Sequence, residues 1–380
     1  MDILLLGGTG AIGSHLSHLL SQAGHNIYIT SRKPHNNEFN IQYVVGNAKN
    51  VDFLTTITNQ RKWDSIVDFM CYSTIEFEER IKILLGNTRQ YVFLSSSRVY
   101  SNSKSKITEN SSRLLEVSSD ADYLKTDEYA LYKAREENIL FASEYTNYII
   151  LRPYITYGEY RLPLGIWEKE TWLKRALSGK DIAMPRKFLE RNTTIAYGRD
   201  ASSFIAKLVG NSNANGEIYN IVSDTSQTWN EIANIYIDEI NKRNRSNIKI
   251  VKFNQCCYSI KHIIKSILYI MHIYKTKYGQ YSWNNYQLIY DREFDRRFDN
   301  AKTKKLLPNF LFGCNDDNLR KCIREFMNAP KYDYNNYIWE IVQDKITGEK
   351  TKLSYFPNIK YKILYVIIRY LIPSGIIYSK

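Results

Sequence analysis

The first apolar run begins at once: Asp2-Ile3-Leu4-Leu5-Leu6 reads as a short buried strand. Ile12, Leu16, Leu19, Leu20 and Ala23 then recur at helical spacing until Gly24 closes the run. Gly7-Gly8-Thr9-Gly10-Ala11-Ile12-Gly13 therefore falls on a strand-to-helix turn. The rhythm continues, with strand-like blocks at Ile27 to Thr30, Gln42 to Val45, Ser65 to Phe69, Tyr91 to Ser95 and Tyr148 to Leu151, each closing on a polar or glycine-rich turn. Strands that alternate with helices predict an α/β fold built on a parallel, doubly wound sheet. Ligands of such sheets bind beyond the carboxyl ends of the strands, so the residues just after each strand are the ones to read for chemistry.

The first turn has the spacing G-x-x-G-x-x-G. Glycines there permit a tight turn, close approach of backbone to a pyrophosphate and close packing of helix on strand, with the helix N-terminus facing the anion. Gly7, Thr9, Gly10, Ala11, Ile12 and Gly13 are the candidate cofactor contacts. After the second strand come Ser31, Arg32 and Lys33, where an NAD site usually has an acid for the ribose 2′-hydroxyl. A guanidinium pairs instead with a 2′-phosphate, so NADPH is expected over NADH. After the third strand, Asn47, followed by Ala48, offers its amide to adenine.

The fifth strand ends in Leu94-Ser95-Ser96-Ser97-Arg98-Val99-Tyr100, and the next strong helix contains Tyr129-Ala130-Leu131-Tyr132-Lys133. Tyr129 and Lys133 are one turn apart on one helix face. An ammonium beside a phenol favours the phenolate, which suits the hydroxyl to giving and taking a proton near neutral pH. Ser96 would hold a carbonyl oxygen while hydride moves at carbon, and Lys133 has a second expected role on the nicotinamide ribose. Ser95 and Ser97 leave the choice of serine open by one residue.

Composition narrows the class. The chain of 380 residues is long enough for about two domains, and 44% hydrophobic content argues against disorder. Met1 leads into the first strand without a basic leader, so a cytoplasmic location is expected. The five cysteines have no paired C-x-x-C spacing, which favours reduced thiols and no metal site. A net charge of +13 fits nucleic acid, anionic lipid or an anionic small substrate without choosing among them.

Taken together, Gly7 to Gly13, Ser95 to Tyr100, Tyr129 to Lys133, Leu151-Arg152-Pro153, Tyr157-Gly158, Tyr197 to Ala201 and Gly216 to Asn220 resemble the extended short-chain dehydrogenase/reductase superfamily, in its NAD(P)-dependent nucleotide-sugar epimerase, dehydratase and reductase branch. The likeness runs to about residue 327. It implies a Rossmann-type domain over 1–158 and about 193–223, and a smaller C-terminal nucleotide-sugar-binding lobe over about 159–192 and 224–330. Residues 331–380 are left as an extension of unknown role. It also implies Ser96, Tyr129 and Lys133 as catalytic residues, Pro153 at the cofactor, Ser97, Arg98, Tyr154 and Arg292 at the substrate, and a homodimer. Sugar dehydratases of the family follow the catalytic Thr with an Asp-Glu pair; here Ser97-Arg98 takes that place, so water elimination is not expected.

The expected activity is that of an NADPH-using reductase of a nucleotide-linked keto-sugar, foremost a 4-keto-6-deoxyhexose for surface polysaccharide precursors. An epimerase that retains NAD is the alternative. A non-catalytic RNA-binding relative is a third reading, carried by the basic cluster Lys242, Arg243, Arg245, Lys249 and Lys252, but a pure binding module has no need of the Ser, Tyr and Lys set; no nucleic acid partner is expected. Two apolar stretches lie outside the resemblance. Ile260, Ile263, Ile264, Ile267, Leu268 and Met271 form an amphipathic helical stripe, read as core or dimer packing. The segment from Tyr361 to Ile377 is too interrupted to span a membrane; packing against its own domain or a second subunit is the default, with a membrane surface as the alternative.

Overall fold

The computed structural model describes residues 1–255, 286–373 and the strand Tyr378–Ser379; the stripe from Ile260 to Met271, like Cys256 and Cys257, lies outside the described residues. Strands β1 (Asp2–Leu6), β2 (Asn26–Ser31), β3 (Ile41–Val45), β4 (Ser65–Asp68), β5 (Tyr91–Leu94) and β6 (Tyr148–Pro153) join the strand Ile218–Ile221 in one sheet of seven. Its order is Ile218–Ile221, β6, β5, β4, β1, β2, β3, parallel throughout. β1 thus has β2 on one side and β4 on the other, which makes its carboxyl end the switch point where a crevice opens in doubly wound sheets.

The continuous apolar run of β1 follows from burial on both faces. Ile3 and Leu5 pack with Leu16 and Leu20 of helix α1 (Ala11–Gln22) and with Phe204, Ile205 and Leu208. Leu4 and Leu6 point the other way, toward Leu54 and Ile57 of α2 (Val51–Thr58) and Phe77, Ile81 and Leu84 of α3 (Thr74–Gly86). A strand covered by helices on both sides has no face left for polar residues. The helix starts are set locally: Asn50 accepts from Phe53 N at 2.8 Å, and Ser73 with Glu76 forms a reciprocal capping box.

The chain divides into two compact units. The first comprises Met1–Gly158, Thr194–Ser226 and Arg296–Asn315. The last of these segments is tied in by Ile107 N to Arg297 O and Asp299 N to Ile107 O, both 2.8 Å, and by Thr303 Oγ1 to Asn220 O at 3.1 Å.

The second unit comprises Glu159–Thr193, Gln227–Asp295 and Asp316–Lys380. Its strand Ile182–Pro185 pairs in parallel with Ile250–Gln255, which pairs antiparallel with Tyr378–Ser379. The helix Tyr337–Thr347 packs Ile341, Val342 and Ile346 against Ala183 and Phe253. Arg175 is buried here, donating to Glu340 at 2.9 Å, Asp344 at 2.7 Å and Glu349 at 2.5 Å. Residues 331–380 are therefore part of this unit's core. Among the described residues no helix is long and apolar enough to cross a membrane.

Candidate active site

At the end of β1 the backbone turns at Gly7, whose φ of +70° is costly for any residue with a Cβ. α1 then starts from Gly10 with no side-chain cap, so its leading N–H groups remain open to an anion, and Thr9, Gly10 and Ala11 are exposed. Gly13 closes the turn: a Cβ there would lie 2.5 Å from the Gly8 carbonyl oxygen. Ile12 packs against the core behind it. Ser31, at the end of β2, receives Lys33 N at 3.2 Å and contacts His35 Nε2 at 3.0 Å. Arg32 is exposed and has no ion-pair partner among the described residues. Asn47 Oδ1 accepts from Lys49 N at 3.1 Å, which leaves its amide N–H groups to a ligand, while Ala48 is buried. Pro153 ends β6.

Beyond β5 the three serines differ sharply in their bonding. Ser95 Oγ donates to the buried carboxylate of Glu137 at 2.5 Å, and Ser97 Oγ donates to the Arg152 carbonyl at 2.7 Å. Ser96 Oγ only accepts, from Arg98 N at 3.2 Å. Its proton is the one of the three left uncommitted among the described residues. Ser97, expected at the substrate, is fully buried and braces β6 instead.

The helix Tyr129–Phe141 starts from Glu128, whose carboxylate caps it through Ala130 N at 2.8 Å. The same carboxylate holds Arg98 Nη2 at 2.6 Å and Tyr123 OH at 3.3 Å, so Arg98 straps the end of β5 to the start of this helix. The Arg98 guanidinium lies 5.2 Å from the centre of the Tyr129 ring. Tyr129 is half-buried, and its hydroxyl has no hydrogen bond among the described residues.

One turn on, Lys133 is enclosed, with Nζ 3.0 Å from Glu136 Oε2 and 4.6 Å from the centre of the Phe93 ring. Burial works against its charge, but Glu136, then Tyr129 and Cys71, hold it above the ordinary lysine range. Burial pushes the Glu136 carboxyl up to about 8, against the pull of Lys133. Asp68, at the end of β4, is also buried and raised by that burial, although it accepts from Met70 N and Tyr91 OH, each at 2.8 Å.

A second buried network stiffens the floor. Glu137 takes both Arg152 donors, at 2.8 and 2.6 Å, and Arg113 Nη1 at 2.8 Å; Arg152 also donates to Tyr100 OH, which donates to Asn220 Oδ1 at 2.8 Å. β5, β6, Ile218–Ile221 and the tyrosine helix are thereby locked together. Tyr154 is buried beside Phe298, with ring centres 5.1 Å apart. Arg292 belongs to the second unit and is buried in an ion pair with Asp291. Arg296, which no motif in the sequence singles out, belongs to the first unit and donates to the Tyr100 and Ser101 carbonyls at 3.2 and 3.0 Å. Burial, with the Arg98 charge adding to it, brings its guanidinium down to about 10.

A family model described as the NAD dependent epimerase/dehydratase family matches residues 3–222. The chain belongs to that family. Its fold is shared with dTDP-glucose 4,6-dehydratase from Bacillus anthracis, solved with NAD, at 18% identity and a TM-score of 0.60 over 87% of this chain and 97% of that one. UDP-glucose 4-epimerase from Thermotoga maritima, solved with UDP-glucose, gives 17% identity and 0.60 over 87% and 100%. UDP-glucuronic acid 4-epimerase from Bacillus cereus, solved with NAD, gives 14% and 0.60 over the same shares. In sequence the chain is 26% identical over 248 residues to chloroplast stem-loop binding protein of 41 kDa b from Arabidopsis thaliana. That match spans 61% of this chain and 61% of the relative's length.

The residues present fit the dinucleotide of the family's name. The uncapped start of α1 and the open space at Gly10 leave donors and room for a pyrophosphate, and among the described residues the buried Lys133 Nζ has no hydrogen-bond acceptor beyond its ion-pair approach to Glu136. A ribose hydroxyl is the kind of group that would complete it.

Proposed function

We propose that this member of the family is an NADPH-dependent reductase of a nucleotide-linked keto-sugar, foremost a 4-keto-6-deoxyhexose. The observation that carries the chemistry is the division of hydrogen bonds at the end of β5, where Ser96 alone of three serines has an uncommitted hydroxyl proton among the described residues, together with a Tyr129 hydroxyl that has no hydrogen bond among them. A reduced nicotinamide, when bound, supplies hydride to the sugar carbonyl carbon. Ser96 donates to the carbonyl oxygen, Tyr129 gives that oxygen its proton, and the Lys133 ammonium makes the phenol a readier donor and binds ribose. Arg98, spent on Glu128, positions Tyr129 by its charge over the ring. Glu128 is neutralised by the same pair, which argues against a free acid for water elimination.

Arg32 supports the phosphorylated cofactor, being exposed and without an ion-pair partner among the described residues, after the second strand, where a 2′-phosphate would lie. The epimerase reading uses the same three residues and is supported by the NAD-containing epimerases that share the fold. The two part on one test. Purified protein and NADPH are incubated with dTDP-, UDP-, GDP- and CDP-linked 4-keto-6-deoxy sugars, following loss of reduced nicotinamide and product identity. Stoichiometric oxidation of NADPH with formation of a 4-hydroxy sugar supports the reductase; its absence, with interconversion of the corresponding nucleotide hexoses in a parallel incubation and no net change in nicotinamide, rejects it in favour of the epimerase.

A further inference from the structure

The positive charge of the chain is concentrated. Residues 240–290 contain nine Lys or Arg and no Asp or Glu, and residues 350–380 contain six and none. Those fifteen cations exceed the net charge of +13, so the rest of the chain is close to neutral. An asymmetry of this kind along the sequence suits an anionic partner. The two stretches also meet in the second unit, where Asn254 and Gln255 pair with Ser379 and Tyr378.

In the second stretch the helix Ile359–Val366 continues into the turn Ile367–Leu371. Leu364, Tyr365 and Ile368 fill the apolar cluster with Ile341, Val342 and Phe356. A surface helix normally turns a polar face outward. Here Ile359, Ile363, Val366, Tyr370 and Leu371 stand outward instead, 66%, 46%, 40%, 54% and 69% exposed. Their spacing places them in one row along the helix. Lys360 is exposed and Lys362 half-exposed in the same segment, and Arg369 donates to the carbonyls of Gly348 and Glu349 nearby.

An apolar row bordered by cations, with no acid in the surrounding thirty residues, complements one kind of surface well. Apolar side chains enter the acyl boundary of a bilayer while ammonium groups meet anionic headgroups. RNA would use the cations but give Ile363, Val366 and Leu371 nothing, since its phosphates are met by cations and its unpaired bases by stacking rings. A second copy of this face would bring like charges together across a two-fold interface.

We propose that the outer face of Ile359–Leu371, with Lys360 and Lys362, docks the protein reversibly on an anionic membrane surface, lying on the bilayer without crossing it. The test is sedimentation of the full chain with vesicles of phosphatidylcholine alone or mixed with phosphatidylserine. Binding is expected to the mixed vesicles, to be weaker by at least about tenfold on phosphatidylcholine alone, and to fall with salt. Ile363→Glu with Leu371→Glu, and separately Lys360→Gln with Lys362→Gln, should each weaken it by roughly tenfold or more, with nicotinamide cofactor affinity and Tm unchanged. The proposal is overturned if the parent stays in the supernatant, if it binds both vesicles alike, or if both double variants bind as the parent does. It is equally overturned if the protein binds a stem-loop RNA and no vesicle, or if Ile363→Glu with Leu371→Glu splits an oligomer while vesicle binding persists.

Discussion

Lys133 Nζ lies 3.0 Å from Glu136 Oε2, and both side chains are closed off from solvent. Burial raises the Glu136 carboxyl to about 8 against the pull of Lys133, so the two titrate as a coupled pair, and the negative charge carried by Glu136 sets how much of the Lys133 field reaches Tyr129. Ionisation of Glu136 above that pH dampens the field on the phenol. The pH profile of kcat/KM should therefore show a limb near 8 that Glu136→Gln removes, measured with saturating cofactor.

The same group couples stability to pH. Its folded value lies above the ordinary 4.5, so the stability it contributes is fully present below about 4.5 and is lost as pH rises through about 8. Urea midpoints should fall across that window in the parent, and Glu136→Gln should flatten the fall.

Tyr129→Phe keeps the shape of the ring and removes the proton donor, so turnover should drop by about 10²- to 10⁴-fold with cofactor affinity little changed. Lys133→Met should lose both turnover and affinity. Ser96→Ala should resemble Tyr129→Phe. Ser95→Ala should instead cost about 1–3 kcal/mol of stability, because it strips a donor from buried Glu137, while leaving chemistry nearly intact. Turnover within a few-fold of the parent in Tyr129→Phe contradicts the assigned roles.

NADPH should bind more tightly than NADH, and Arg32→Ala should narrow the gap by roughly 1.5–3 kcal/mol, the worth of a charge-assisted hydrogen bond. Fluorescence titration of both cofactors against both proteins measures it directly. Equal affinities in the parent count against a 2′-phosphate site.

Gly13→Ala forces a methyl against the Gly8 carbonyl, and backbone on both sides of the contact leaves little to yield. Overpacking of that kind costs about 1–3 kcal/mol. Dinucleotide binding should be lost with it, whereas Gly10→Ala, where a Cβ meets nothing within 4 Å, should fold normally. Calorimetry with and without cofactor separates the two.

The sheet was legible because β1 is apolar at every position from Ile3 to Leu6 and glycine breaks it at once, a pattern that only a strand buried on both faces requires. Placement was legible where it depends on chain spacing alone, as for Tyr129 and Lys133 one turn apart on one helix. It was less so where roles depend on which neighbour wins a hydrogen bond. Ser95, Ser96 and Ser97 are chemically identical, and only the placement of Glu137 and the Arg152 carbonyl distinguishes them. Glu136 gave a faint signal, an acid three residues after Lys133, but its burial depends on strands β4 and β5 packed against it. Arg292 and Arg296 sit four residues apart in one charged run, and the sequence offers no way to know that the chain passes from one unit to the other between them.

Arg175 precedes the carboxylates of Glu340, Asp344 and Glu349 by well over a hundred residues, yet its guanidinium is enclosed by them. During synthesis a nascent second unit holds a cation that has nowhere dry to go until Glu349 has left the ribosome. The first unit has its sheet complete by Ile221 and its last segment by Asn315, both ahead of Glu349. Mutations that weaken the Arg175 cluster should accordingly show themselves first as poor yield and protease sensitivity of newly made chains, before any loss of affinity in the molecules that do fold.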